Sequence, residues 1–235
     1  NRVTGLLFGL KFNDNLYKNI DLITSFGYSL RREEFEGRLS LRLGIKNFWI
    51  TNLSAGYYDS SVPWQSLSPY PDIINSLGVT IGLDDQFNYY LSKGYFVEIE
   101  KKYKEKYSGK LVFLSESEKS LVEQKYQSII STNRSVRENP KIYEGKENKI
   151  SLSLRLGANP LEPQVIPLDG LLFRSDISSK FLNSDFEYRS FRLIGMLNTK
   201  TFYDELFISP YIQLMVDAGM VAGDYGPQHI FTPNT

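Results

Sequence analysis

Residues 34–48 read EFEGRLSLRLGIKNF, and within them Leu39, Leu41, Leu43 and Ile45 alternate with Arg38, Ser40, Arg42 and Gly44. Alternation of period two is the mark of a β-strand with two unlike faces. One face here is wholly aliphatic and the other carries two arginines. In a soluble sandwich the aliphatic face would meet a core and the polar face bulk water. In a membrane barrel the aliphatic face would meet lipid and the polar face would line a lumen.

The same pattern recurs along the chain. Leu6, Phe8, Leu10 and Phe12 share a face against Gly5, Leu7, Gly9 and Lys11, and NDNLYKN (13–19) follows as a turn by composition. Ile20, Leu22, Phe26, Tyr28 and Leu30 oppose Asp21, Ser25, Gly27 and Ser29. After residues 34–45, Lys46 and Asn47 lead into a strand over 48–61 with Trp49, Leu53, Ala55 and Tyr57 on its apolar side. Further strands are read at 94–106 and 108–117. KISLSLRLGANP (149–160) sets Ile150, Leu152, Leu154 and Leu156 against Ser151, Ser153 and Arg155. Leu171, Phe173 and Ile177 face away from Arg174 and Asp176, and 205–219 sets Ile208, Ile212, Leu214 and Val216 against Tyr211, Gln213 and Asp217. With 185–198 this makes about ten strands in meander order, several longer than the ~5–6 residues usual in globular sheets.

Two segments interrupt the pattern and are read as long loop insertions, 62–92 and 118–148. Within them 84–94 reads as a helical turn ended by Gly94, and 118–130 as a short helix. Connections this long are commonly functional.

Composition narrows the function classes. The chain has 235 residues, 41% hydrophobic and 14% aromatic, with 27 basic and 27 acidic residues and no net charge, so no basic excess points to nucleic acid. Cysteine is absent, which removes disulfides, thiolate metal sites and cysteine nucleophiles. No apolar run approaches the ~18 residues of a membrane helix. The chain opens as though inside a strand, without methionine or signal peptide, and is read as a piece of a longer protein.

Three features favour a barrel wall over a sandwich or lipocalin-like fold. Isolated charges sit mid-strand on the polar faces: Arg38, Arg42, Arg155, Arg174, Asp176 and Asp217, the lumen-facing candidates. The apolar faces are aliphatic in the middle and aromatic toward their ends. Short connections coexist with long ones, as in outer-membrane barrels. The expected fold is therefore all-β, an antiparallel up-and-down transmembrane β-barrel forming a single domain over 1–235. Strict alternation through 185–198 would send Phe186, Tyr188 and Arg192 to lipid together. A lipid-facing Arg costs ~2–4 kcal/mol at the midplane, so a bulge is expected near Ser190, turning Phe191 and Leu193 outward. A second irregularity is expected at Pro210.

No active site is read. The single histidine, His229, has no cysteine partner for a conventional metal site, neither a G-x-S-x-G nor a glycine-rich phosphate loop occurs, and no cofactor is expected. The run KKYKEK (101–106) reads as a solvated strand end, with anionic lipopolysaccharide as the other reading.

NRVTGLLFGL (1–10), DDQFNYYLSKGYFVEI (84–99) and DAGMVAGDYGPQHIF (217–231), taken in order, resemble the bacterial surface-antigen, or Omp85, superfamily of outer-membrane barrels related to BamA and TamA. The resemblance implies a sixteen-stranded barrel in the outer membrane of a Gram-negative bacterium, of which this chain is part, preceded by POTRA domains. It implies that the protein inserts or translocates outer-membrane or secreted proteins through a lateral seam, without nucleotide or metal. Residues 3–12 would then be the gate strand, with Gly5, Leu7 and Gly9 at the seam, and Gly226, Pro227, Gln228 and His229 would lead into the family's inward-folded loop. The Arg-Gly-aromatic motif of that loop is not in this chain. Implied partners are outer-membrane lipids, lipopolysaccharide, and client β-strands or other envelope proteins. Two other classes stay open: a passive pore or structural barrel subunit, and the membrane anchor of an enzyme domain outside this chain.

Overall fold

A computed structural model describes residues 7–29, 33–45, 49–64, 88–104, 106–121, 139–161, 168–201 and 211–230. Gly5 and Pro210 lie outside the described residues, as does most of the segment expected to be a short helix.

Among the described residues ten strands form one antiparallel sheet in which neighbours in sequence are neighbours in space. They are β1 (Leu7–Tyr17), β2 (Ile20–Ser29), β3 (Glu34–Gly44), β4 (Asn52–Pro63), β5 (Tyr89–Tyr103), β6 (Tyr107–Ser120), β7 (Gly145–Gly157), β8 (Gly170–Ser178), β9 (Glu187–Lys200) and β10 (Tyr211–Asp224). β1 and β10 are the two edges, so the sheet is open rather than closed. Short 3-10 turns occur at Lys180–Leu182 and Pro227–His229. Among the described residues no helix is long and apolar enough to cross a membrane, which says nothing about strands.

The sheet curls into a trough. Its concave side encloses about 1230 Å³, lined from Leu10 on β1 to Arg192 on β9 and by His229 beyond β10. Exposure alternates accordingly. On β3 Leu39, Leu41 and Leu43 are 52%, 50% and 40% exposed while Ser40 between them is buried. Ile150, Leu152, Leu154 and Leu156 of β7, Phe191 and Leu193 of β9, and Ile212, Leu214 and Val216 of β10 are also on the exposed side. The buried side is mostly polar: Glu116, Glu118, Glu147, Lys149, Asp176 and Ser190. Among the described residues the buried apolar side chains form small clusters, such as Tyr89 with Leu121 and Leu172 with Ile194. Large apolar side chains outside and charges inside is the reverse of a soluble domain.

Several sequence expectations are corrected. Residues 13–19 are not all turn: β1 runs on to Tyr17, with a register shift between Asn15 and Tyr17, and turns only at Lys18 and Asn19. β4 begins at Asn52, later than expected, leaving Trp49 in the preceding connection and 76% exposed. No helical turn covers Tyr89–Gly94. These residues open β5, and Gly94 sits mid-strand between Tyr58 and Glu116. The two long insertions are shorter than read: β4 runs to Pro63 and β5 starts at Tyr89, while β6 continues to Ser120 and β7 starts at Gly145.

The bulge near Ser190 is absent. β9 pairs with both neighbours in unbroken register. Phe191 and Leu193 do face outward, but because Phe186, Tyr188 and Ser190 are buried at 5%, 4% and 2% on the other side. An aromatic residue near a strand end suggests a lipid-facing position, whereas a tyrosine whose hydroxyl finds a carboxylate is equally at home inside.

Candidate functional site: the charged concave wall

The concave wall is built by alternation alone: every second residue of adjacent strands points into the same trough. Its most buried part lies toward the end where β6 and β7 meet the long connection. Lys149 on β7 stands 2.9 Å from Glu116 on β6 and also bonds Glu147, its neighbour two residues back. Tyr58 of β4 donates to Glu116 at 2.5 Å, and Ser92 of β5 donates to the same carboxylate. From β9, Tyr188 donates to Glu147 at 2.5 Å. A buried ammonium between two carboxylates, each with further donors, is the arrangement in which buried charge is tolerated. It ties β4, β5, β6, β7 and β9 together across the concavity.

The segment after β10 folds into this cluster. Gln228 is buried and donates from Nε2 to Glu118 at 2.8 Å and to the Tyr143 carbonyl at 2.9 Å. His229 Nε2 lies 3.3 Å from Glu147 and 3.7 Å from Glu118. The imidazole packs between Tyr188 and Phe186, with ring centroids 4.6 and 5.2 Å away. Burial opposes charge on the ring, but the two carboxylates outweigh it and push its pKa up to about 9.

Glu118, Glu147 and His229 each bring one ligand atom within 4.8 Å of the others, a donor set that can hold a first-row dication. The surrounding hydrogen bonds do not fit that role. A ligating Nε2 requires its proton on Nδ1, normally donated outward. Here Nδ1 accepts from the Gly226 N–H at 3.1 Å, and Lys149 already neutralises Glu147. With Gln228, the three residues form a polar latch that fastens the segment after β10 to the wall.

A second polar layer lies between this cluster and the opposite end. Arg174 Nε donates to Asp176 at 3.2 Å, and Asp176 also accepts from Ser151 and, at 3.1 Å, from Ser190. Arg192 grips Asp217 through both Nε and Nη2, at 2.9 and 2.5 Å. Arg155 donates to Ser108 at 3.2 Å, and the Arg38 guanidinium lies 4.5 Å from the centre of the Phe96 ring. Arg42 lines the same trough. The six lumen-facing candidates thus sit on β3, β7, β8 and β10, with two of them, Arg174 and Asp176, in direct contact. Leu7 and Gly9 are on edge strand β1, paired with Ser29 and Gly27.

Sequence reasoning missed Glu116, Glu118, Glu147, Lys149 and Tyr188. The available signal was the S-E-S-E run at 115–118, which has strand period but no hydrophobic contrast. Comparison with protein-family models, curated proteins and solved structures finds no match for the chain.

Proposed function

We propose that this sheet is part of the wall of an outer-membrane β-barrel, and that the barrel assists insertion or translocation of outer-membrane or secreted proteins through a lateral seam at the β1 edge. One observation carries the membrane reading: the exposed face is an aliphatic belt and the sheltered face a network of paired charges. The belt is bounded by aromatics. On β5 it runs from Tyr95 through Val97 and Ile99 to Tyr103, eight residue steps or ~27 Å along the strand. A ~40° tilt reduces that to ~20 Å, near the ~25 Å apolar band of outer-membrane barrels. β1 and β10 run antiparallel, so an even number of further strands would complete the wall, and six would give sixteen.

The seam rests on the edge position of β1 and on the glycine pair Gly9 and Gly27, which face each other in register. A glycine-poor-packing edge is a weak one, open to strand addition.

One observation favours a different orientation and with it the passive-barrel reading. β1 starts at the same end of the sheet as the connections 64–88 and 121–144. Long connections normally face outward from the cell, whereas periplasmic domains preceding β1 require that end to face inward. Protease cleavage within 64–88 on intact cells would favour the passive barrel. Protection there, with cleavage only after the outer membrane is opened, would favour the seam.

The primary test is expression of the full-length parent protein in a Gram-negative host, followed by electrophoresis of isolated outer membranes with and without boiling. A heat-dependent mobility shift is expected of a closed membrane barrel. A soluble, shift-free protein would sink the reading. For the seam, cysteine at Gly9, in a chain with no other cysteine, should cross-link to nascent outer-membrane strands. Absence of any such adduct would leave the passive barrel.

A further inference from the structure

The β5–β6 hairpin ends in a basic tip just beyond the aromatic edge of the exposed belt. Lys104 makes the turn in a left-handed conformation, φ 48°. The Lys106 N–H donates to the Lys104 carbonyl, and the Gly157 N–H donates to the Lys106 carbonyl, each at 2.6 Å. The tip is therefore tied to the end of β7 rather than projecting freely. Immediately below it Tyr103 and Tyr107 pair across the hairpin with ring centroids 6.2 Å apart, both on the exposed face. The Lys104 ammonium stands 5.3 Å from the Tyr103 ring.

Lys102 and Lys110, directed toward the trough, are neutralised by Glu100 at 3.4 Å and Glu98 at 3.2 Å. Lys104 and Lys106 have no carboxylate within ion-pair distance among the described residues. Among the described residues the tip thus carries two ammonium groups without an ion-pair partner, beside two tyrosine rings and continuous with an apolar belt. Ammonium and phenol groups both donate to phosphate oxygens, and a belt ending in tyrosine fixes the lysines at the depth where lipid phosphates lie.

We propose that the β5–β6 tip docks on the phosphate groups of an anionic lipid surface, through Lys104 and Lys106 with Tyr103 and Tyr107 beneath them. The proposal rests on the membrane reading above and is tested beside it. The full-length parent barrel is refolded into phosphatidylcholine vesicles and into vesicles that also contain phosphatidylglycerol, and the folded, heat-modifiable fraction is followed against lipid concentration. Phosphatidylglycerol should lower the lipid concentration required. The double variant K104Q/K106Q should lose about fivefold of that gain for each charge removed, while folding into phosphatidylcholine as before. K110Q, on the trough side, should keep the gain. A double variant that retains the full phosphatidylglycerol effect overturns the proposal, as does loss of the effect on adding inorganic phosphate, which would mark a free-anion site. Failure to fold into either vesicle removes the membrane reading itself and the docking proposal with it.

Discussion

Arg192 and Asp217 meet across the β9–β10 pair in a two-pronged ion pair, Nε to Oδ1 at 2.9 Å and Nη2 to Oδ2 at 2.5 Å, with the Arg192 side chain 10% exposed. Arg192 is also the register partner of Arg174 on β8. Two arginines side by side repel unless each has its own carboxylate, and Asp217 and Asp176 supply one apiece. This is why Arg192 can stand on the trough side without a bulge. R192L strands Asp217 on a half-buried wall and should cost about 3 kcal/mol in urea unfolding, whereas R192L/D217L should recover most of that loss. Equal losses in the single and double variants would show that the pair does not hold β10 in place.

The exposed belt can be probed at Leu152, 38% exposed near the middle of β7. For a soluble sheet an exposed Leu→Arg change is close to neutral. For a lipid-facing position near the midplane, L152R should cost ~2–4 kcal/mol in vesicle-reconstituted protein. Unfolding midpoints in vesicles, compared with S153R one position along and facing the trough, separate the two cases. A neutral L152R would remove lipid from that face.

His229 makes the latch pH-dependent with a defined sign. Its pKa is pushed up to about 9 from an ordinary 6.5, because Glu118 and Glu147 outweigh the opposing effect of burial. A raised pKa stabilises the docked segment fully below about pH 6.5, and that contribution is lost as pH rises through about 9. The cost of charging is the Gly226 contact, since a doubly protonated ring can no longer accept at Nδ1. Imidazole NMR shifts should therefore titrate near pH 9 in the folded protein. A midpoint at or below 6.5 would show that the Gly226 bond holds the ring neutral.

How far the sequence revealed this molecule depended on contrast between faces. Where large aliphatics alternated with Ser or Arg, as at Leu39–Leu43 and Ile150–Leu156, strand, face and neighbours were legible, and the ten-strand meander followed. Where both faces are polar, at Ser115–Ser120 and Gly145–Lys149, the same period carries no hydrophobic signal, and strand ends resemble loop. The charged cluster lies in those two stretches, so the most tightly bonded part of the wall was invisible. Tyr188 failed for another reason: its ring suggested lipid, while its hydroxyl is satisfied by Glu147 inside. His229 and Gln228 could be placed only by knowing which carboxylates wait across the trough.

Gly94 shows what the local reading of a glycine can miss. Taken with the preceding Tyr-Tyr segment it reads as a helix stop, but it lies inside β5, opposite Tyr58 on one side and Glu116 on the other. A Cβ built there would run into the Ser115 carbonyl and the Cα and Cβ of Glu116. The glycine is needed for close approach of β5 to β6, at the position where Glu116 turns in to meet Tyr58 and Lys149. G94V should therefore push β6 away and cost more than the ~1 kcal/mol that strand-preferring Val would otherwise gain over Gly. The loss should appear as a lower urea midpoint. A valine variant as stable as the parent would mean that the two strands have room to spare, and that the short Tyr58–Glu116 bond does not depend on the glycine.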